Sequence, residues 1–129
     1  MDITEEITLI GVDDEKQFDF SADAPGTVRP IHQTLYESTD EAFGFEADMP
    51  VGTGAGFAVV AHPNVLVFHV TLTVEDAHTV AINGIVPVQG GQMGDAVLAV
   101  TGGTGAFNAA GGRCELSVNN PKKYHIILG

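Results

Sequence analysis

The stretch VLVFHVTLTV, residues Val65 to Val74, decides the fold class because apolar side chains occupy every second position. A period of two is typical of a β-strand with one buried face, since successive side chains point to opposite sides of a sheet. The buried set predicted for this strand is Leu66, Phe68, Val70, Leu72 and Val74.

Similar short runs, rich in Val, Ile, Thr and Phe, recur between clusters of Gly, Pro, Asn and Asp along the chain. Nine strands are predicted, of which one is a continuation or a loop: Glu6 to Val12, Val28 to Glu37, Ala42 to Ala47, Gly56 to His62, Val65 to Val74, Thr79 to Val86, Ala96 to Thr101, Arg113 to Val118 and Lys123 to Leu128. Tight turns between them require antiparallel pairing. About eight such strands can close into a barrel whose interior holds side chains or one small ligand.

The chain has 129 residues, 44% of them hydrophobic, which is enough for one core and too little for two domains. We therefore predict an all-β fold, a single closed antiparallel barrel spanning residues 1–129. Residues 1–26 are predicted to form an N-terminal strand and an acidic loop or flap, and residues 27–129 the barrel body. The acidic segment Asp13 to Pro25 suits a flap over one barrel end.

The charge balance excludes several partners. Seventeen acidic residues against five basic ones give a net charge of −12, which repels nucleic acid and anionic membranes. No apolar run approaches the roughly 20 residues that span a bilayer. The N-terminus has neither a basic region nor a long apolar one, so it does not resemble a signal peptide and a cytoplasmic location is expected.

No metal or cofactor is expected. The histidines are scattered without ligand spacing, and Cys114 is the single cysteine, which predicts a small buried hydrophobe rather than a reactive thiol. The glycine-rich stretch Met49 to Gly56 allows tight bends or close backbone approach, but it does not end in the Lys followed by Ser or Thr that a phosphate loop requires.

The most specific motif runs from Gly102 to Gly112, with the sequence GGTGAFNAAGG. Its glycines permit a tight turn between strands, and Phe107 is predicted to cap one barrel end. The motif resembles the Gly-Gly-Thr-Gly-x-Phe-x-x-Ala-x-Gly signature of dirigent proteins and allene oxide cyclases. The segment Leu35-Tyr36-Glu37 and the tail Ile127-Leu128-Gly129 are similar to those of a bacterial branch of these barrels, the spirotetronate cyclases.

The resemblance to spirotetronate cyclases implies an intramolecular [4+2] cycloaddition of Diels-Alder type on a linear polyketide-like substrate, without a cofactor. Such a reaction needs no nucleophile or titrating base. It needs a cavity that holds diene and dienophile together, and a hydrogen bond to a carbonyl helps.

The candidate catalytic residues are the two tyrosines, Tyr36 and Tyr124, whose phenols could donate to a substrate carbonyl. A period of two places His32 and Thr34 on the same face as Tyr36, with Gln33 and Leu35 on the other face, and only one face can line the cavity. The remaining candidate substrate-binding residues are apolar and are predicted to form the wall or the entrance: Phe43, Phe57, Leu66, Phe68, Val80, Ile82 and Met93.

Two other functions stay open. A non-catalytic barrel, similar to a lipocalin or a dirigent protein, would bind a hydrophobic small molecule without accelerating any reaction. An isomerase similar to allene oxide cyclase would need a carboxylate inside the cavity, and the predicted strands place none there. A homodimer is compatible with outward apolar residues such as Val67 or Ile127.

Overall fold

The computed structural model describes residues 5–13, 23–38, 49–62, 64–108, 111–118 and 122–129. Within these ranges the chain forms strands and one 3-10 turn at Gly105–Phe107. The strands are β1 Glu6–Asp13, β2 Val28–Glu37, β3 Gly52–His62, β4 Val65–Val74, β5 His78–Gln89, β6 Gln92–Met93, β7 Ala96–Thr104, β8 Gly112–Ser117 and β9 Lys122–Leu128.

Every strand pairing is antiparallel. Around the barrel the order is β1, β2, β3, β4, β5, β7, β8 and β9, and β9 pairs back with β1. The two-residue β6 pairs only with the end of β5. The predicted closed antiparallel barrel of about eight strands is therefore confirmed, and β1 is one of its wall strands.

Some strand limits differ from the prediction. The strand β3 begins at Gly52 rather than Gly56, so part of the glycine-rich stretch is strand. Asp13, predicted to open the acidic flap, is the last residue of β1. The predicted strand Ala42 to Ala47 lies outside the described residues.

The interior of the barrel is apolar and follows the predicted alternation. All five predicted inward residues of β4 are fully or almost fully buried, as are Val80, Ile82 and Val86 of β5. Cys114 is a buried free thiol, as predicted. In β9, where both rows contain an apolar residue, Tyr124 and Ile126 are the fully buried pair.

The turn after β7 explains the glycine motif. Gly105 has φ of +64°, a conformation that L side chains rarely adopt. A Cβ on Gly103 would lie 2.6 Å from Cβ of Phe107, so only glycine lets the Phe107 ring fold back against the strand. Phe107 is fully buried within the core, where the sequence predicted an aromatic cap.

The barrel has two distinguishable ends. Both β7 and β9 run antiparallel to β8, so they start at the same end of the barrel and finish at the opposite end. The Asp13 end is the one where β1 finishes and β9 begins, and the Phe107 end is the one where β7 finishes. No helix among the described residues is long and apolar enough to cross a membrane.

Replacing Phe107 by alanine should lower the free energy of unfolding by about 3–5 kcal/mol, because a fully buried ring leaves a cavity. Denaturant titration of dilute protein measures this loss. The matched control is Phe57→Ala, which removes a ring that is 42% exposed and should lower the free energy of unfolding much less. Equal losses from the two variants would contradict the assigned role of Phe107.

Candidate functional site

Polar side chains interrupt the apolar interior near the Asp13 end. The inward register of β1 runs through Leu9 and Gly11 to Asp13, and that of β9 runs from Ile126 through Tyr124 to Lys122. On the neighbouring β2, Gln33 is the one buried polar residue among the described residues. The interior array, defined as Asp13, Gln33, Lys122 and Tyr124, is the candidate site.

The four side chains form one continuous chain of hydrogen bonds. The Tyr124 hydroxyl donates to Oε1 of Gln33 at 2.6 Å, and Nε2 of Gln33 donates to Oδ1 of Asp13 at 2.8 Å. Nζ of Lys122 lies 2.6 Å from the other oxygen of that carboxylate, Oδ2. The chain thus runs from a fully buried phenol to an ion pair whose Asp13 and Lys122 side chains are 20% and 16% exposed.

Two glycines leave the space that the array needs. A Cβ on Gly11 would lie 2.8 Å from Cε2 of Tyr124 and 2.9 Å from Oε1 of Gln33. A Cβ on Gly54, which faces Gln33 from β3, would lie 3.0 Å from Cδ2 of Leu72 and 3.3 Å from the same Gln33 oxygen. Glycine at both positions therefore lets the Gln33 amide and the Tyr124 ring meet.

Burial controls the protonation of the phenol. It raises the pKa of Tyr124 above its ordinary range, because the phenolate would lose its water; the hydrogen bond with Gln33 acts in the opposite direction. Tyr124 is therefore a neutral hydrogen-bond donor at any physiological pH. Burial likewise raises the pKa of the Cys114 thiol to about 12, so this cysteine is not a nucleophile.

A second ion pair lies toward the same end. Nε and Nη2 of Arg29, near the start of β2, donate to the two carboxylate oxygens of Asp23 at 2.8 and 2.7 Å. The hydrogen bond with Asp23 is the main reason that the pKa of Arg29 is raised. Arg29 shares the register of Ile31 and Gln33, so it continues the inward-facing row toward the Asp13 end.

Of the predicted catalytic residues, the structure places only Tyr124 inside. In β2 the buried row is Ile31, Gln33 and Leu35, and the alternate row of His32, Thr34 and Tyr36 lies on the outer face. The expectation that His32, Thr34 and Tyr36 line the interior is therefore wrong. A period of two allows one row inside, and Ile31 and Leu35 bury more apolar surface than the alternate row would.

Phe57 is also outside. It is 42% exposed and stacks on the His69 ring with centroids 5.3 Å apart, whereas its neighbour Ala58 faces the interior. The expectation that Phe57 forms part of the cavity wall is wrong, because the inward row of β3 consists of small residues opposite the bulky row of β4.

The other predicted wall residues fall as follows. Leu66, Phe68, Val80 and Ile82 are buried in the core, and Met93 is partly buried against it. Their contact with a substrate stays a prediction. Phe43 lies outside the described residues.

Sequence reasoning missed Asp13, Gln33 and Lys122. Extending the first predicted strand by one residue would have carried the row of Ile7, Leu9 and Gly11 on to Asp13. Starting the last strand one residue earlier would have placed Lys122 in the row of Tyr124.

Thr34 lines a separate feature, a surface groove of about 460 Å³. Its walls are Thr34, Pro50, Val51, Gly52, Thr53, Glu75 and Asp76. The groove shares no residue with the interior array.

Among the described residues, no cluster of three or more His, Cys, Asp or Glu side chains could hold a metal ion.

Comparison with known proteins finds a likeness in structure. No protein-family model and no curated protein matches the chain. The solved structure of pyocyanin demethylase is similar, with a TM-score of 0.73 and 21% identity over 96% of this chain and 99% of that one. The likeness is one of fold.

Two pterocarpan synthase dirigent proteins are also similar. One has a TM-score of 0.64 and 18% identity over 95% of this chain and 84% of its own. The other has a TM-score of 0.58 and 17% identity over 98% and 97%. The resemblance to dirigent barrels is thus confirmed for the fold, while the link to spirotetronate cyclases stays a prediction.

Replacing Tyr124 by phenylalanine should lower the free energy of unfolding by about 1–3 kcal/mol, because the buried Gln33 oxygen loses its donor. Denaturant titration measures the change. The control Tyr36→Phe removes the same hydroxyl from the outer face and should cost less. A loss for Tyr36→Phe as large as that for Tyr124→Phe would refute a special role for the interior bond.

The free energy of unfolding should fall as the pH rises from about 9, the ordinary pKa of a thiol, toward 12. The unfolded chain releases the protons of Cys114 and Tyr124 there while the folded chain retains them, which costs up to ~1.4 kcal/mol per pH unit for each group. Denaturant titrations under reducing conditions measure the slope. Cys114→Ala should reduce the slope of the free energy of unfolding against pH from about pH 9 upward, and Tyr124→Phe should reduce it at higher pH. Unchanged slopes would contradict the retention of these two protons in the folded chain.

Proposed function

We propose that this chain is a cofactor-independent cyclase that takes a small hydrophobic, carbonyl-bearing molecule into the Asp13 end of the barrel and closes a ring in it. The observation that carries the proposal is the interior array, a chain of hydrogen-bonding groups set in an otherwise apolar interior. Apolar side chains can often replace even a fully partnered buried ion pair at no cost to stability, so the presence of the array suits a function.

The array offers two kinds of donor to a substrate carbonyl. The Tyr124 phenol is neutral and fully buried, and the Lys122 ammonium has three protons, one directed at Asp13. A hydrogen bond in a water-poor interior stabilises developing negative charge more strongly than the same bond in water. Either donor could draw electron density from a carbonyl conjugated with an alkene, which activates that alkene as a dienophile.

We take the reaction to be an intramolecular [4+2] cycloaddition of a linear polyketide-like substrate. The three π bonds of a diene and an alkene in one chain become one π bond and two new C–C σ bonds, and no atom enters or leaves. The main requirement is to hold the two ends in contact, which contributes up to about 7–11 kcal/mol in ideal intramolecular cases. The apolar core of the barrel, which includes Leu66 and Phe68, would supply the shape.

An isomerase with proton transfer is the second candidate, favoured by the Asp13 carboxylate. The sequence placed no carboxylate inside the barrel, whereas Asp13 lies in the inward register with its two oxygens on Gln33 and Lys122. A carboxylate so placed could move a proton during ring closure. The two reactions differ in their need for this group, because a concerted cycloaddition transfers no proton.

The test follows a synthetic linear polyene tetronate with and without purified protein, with cyclised product measured by chromatography and mass. We expect acceleration and a single stereoisomer. Tyr124→Phe and Lys122→Met should each reduce the rate roughly 10- to 100-fold, the value of one strong hydrogen bond. The matched control is Lys123→Met, which removes an outward lysine next to Lys122 and should leave the rate unchanged.

Asp13→Asn separates the two candidates. A cycloaddition should lose less than about tenfold, because asparagine retains an acceptor, whereas a proton-transfer isomerase should lose about 10²- to 10⁴-fold. If the protein bound the substrate without accelerating its cyclisation, we would conclude that it is a carrier and not an enzyme. If the protein showed neither binding nor turnover, the proposal would be refuted.

A further inference from the structure

Lys122 is a mostly buried lysine with a carboxylate beside it. Its side chain is 16% exposed, in the inward row of β9 at the Asp13 end, and Nζ lies 2.6 Å from Oδ2 of Asp13. A lysine amine can attack the carbonyl carbon of an aldehyde or a ketone and form an imine, known as a Schiff base. An adjacent base that removes a proton activates such a nucleophile. Lys122 therefore has a chemistry that hydrogen-bond donation does not use.

The Asp13 carboxylate is oriented by a bond to its other oxygen. Nε2 of Gln33 donates to Oδ1 of Asp13 at 2.8 Å, and Oε1 of Gln33 accepts from the buried Tyr124 hydroxyl at 2.6 Å. The amide is thus fixed at both ends, which leaves Oδ2 of Asp13 directed at Nζ of Lys122. A positioned carboxylate within hydrogen-bond distance of the proton that it removes has the geometry of a general base.

We propose that Lys122 reversibly binds hydrophobic aldehydes and ketones as a Schiff base, with Asp13 as the proton carrier. The ammonium passes one proton to Oδ2 of Asp13. The lone pair of Nζ then forms a C–N bond to the carbonyl carbon, while the π pair of the C=O bond moves to oxygen. That oxygen takes a second proton from Nζ, which gives a carbinolamine. Asp13 returns its proton to the new hydroxyl, which leaves as water while the Nζ lone pair forms the C=N bond.

The ion pair survives this sequence of steps. An ammonium and a neutral carbonyl become a protonated imine and one water, so the positive charge stays on Nζ and the Asp13 carboxylate is regenerated. No charge is left unpaired in a mostly buried position, which would be costly. A protonated imine draws electrons from the adjacent carbons more strongly than the carbonyl does. Imine formation therefore activates the bound molecule for bond making.

The surroundings favour hydrophobic carbonyl compounds. Beyond the array, the inward rows of β1 and β9 continue with Leu9 and Ile126, both of them fully buried. Water is a product of imine formation and attacks the imine in the reverse reaction, so a water-poor position favours the covalent form. A charged aldehyde such as glyoxylate would lose the hydration of its carboxylate there.

This activity goes beyond the proposed cyclisation and is tested without it. The probe is benzaldehyde, and sodium cyanoborohydride reduces the protonated imine to a stable secondary amine. The chain has three lysines, Lys16, Lys122 and Lys123, so mass spectrometry of peptides assigns each site of labelling. We expect Lys122 to be labelled at least about tenfold faster than the other two, because only a lysine with a positioned base gains from it. Labelling of Lys122 by glyoxylate should be slower than by benzaldehyde.

The unfolded chain supplies the reference for this preference. In concentrated urea, the adjacent residues Lys122 and Lys123 should be labelled at about equal rates, because neither then has a fixed neighbour. Lys122→Met should remove the fast labelling of the folded protein. Lys123→Met, the matched control, should retain it.

Asp13→Asn separates a proton carrier from a mere ion-pair partner. If Asp13 carries the proton, labelling of Lys122 should slow by about 10²-fold, the lower range for general acid–base catalysis. If Asp13 only holds the ammonium, its loss should free the amine and accelerate labelling. The matched control is Glu115→Gln, which removes a carboxylate from the outer face of β8 and should leave the rate unchanged.

Circular dichroism checks that each variant remains folded. Labelling of Lys122 no faster than that of Lys123 in the folded wild type would overturn the proposal, and this comparison needs no variant. Labelling that Asp13→Asn leaves unchanged or accelerates would overturn it as well. Since no tetronate and no cyclisation enter the experiment, either result would leave the proposed function to its own test.

Discussion

The pairing of β1 with β9 closes the barrel, and the polar chemistry of the interior depends on that pairing. Asp13 belongs to β1, whereas Lys122 and Tyr124 belong to β9, so the ion pair joins the two strands where the ends of the sheet meet. Without closure, Asp13 and Lys122 would be solvated charges at opposite edges of an open sheet. Closure also gives every strand one inward row, and that row fixes which polar side chains are withdrawn from water.

Gln33 links the β1–β9 pair to the rest of the barrel wall. Its amide bonds to β1 through Asp13 and to β9 through Tyr124, and it lies opposite Gly54 of β3. A primary amide suits this place because it donates from one end and accepts at the other, so it can connect a phenol to a carboxylate without bearing charge. Gly54 leaves room for it, and Leu72 of β4, the cross-strand partner of Gly54, lies alongside.

The sequence predicted the strands and the closed barrel because alternation is strong where one face is polar, as in Val65 to Val74. It failed for β2, where the buried row of Ile31, Gln33 and Leu35 includes an amide and the outer row includes Tyr36. It failed for β3 because both rows are apolar, and the large Phe57 was taken as the buried one. Which row is inward there depends on the bulk of the neighbouring strand, a tertiary fact that no local pattern contains. Asp13 and Lys122 were missed by one residue of strand length.

The polar groups that the barrel withdraws from water are bonded to one another. Among the described residues, no buried side-chain nitrogen or oxygen lacks a hydrogen-bond partner. This completeness sets a condition on a ligand at Tyr124: a substrate carbonyl can accept from its hydroxyl only by replacing the bond to Gln33, whereas Lys122 has protons beyond the one directed at Asp13. A net gain of only about 0.5–1.5 kcal/mol per ordinary hydrogen bond makes that exchange feasible only when the ligand also buries apolar surface. Under the proposed function, the preferred substrate therefore combines a good acceptor with a hydrophobic body.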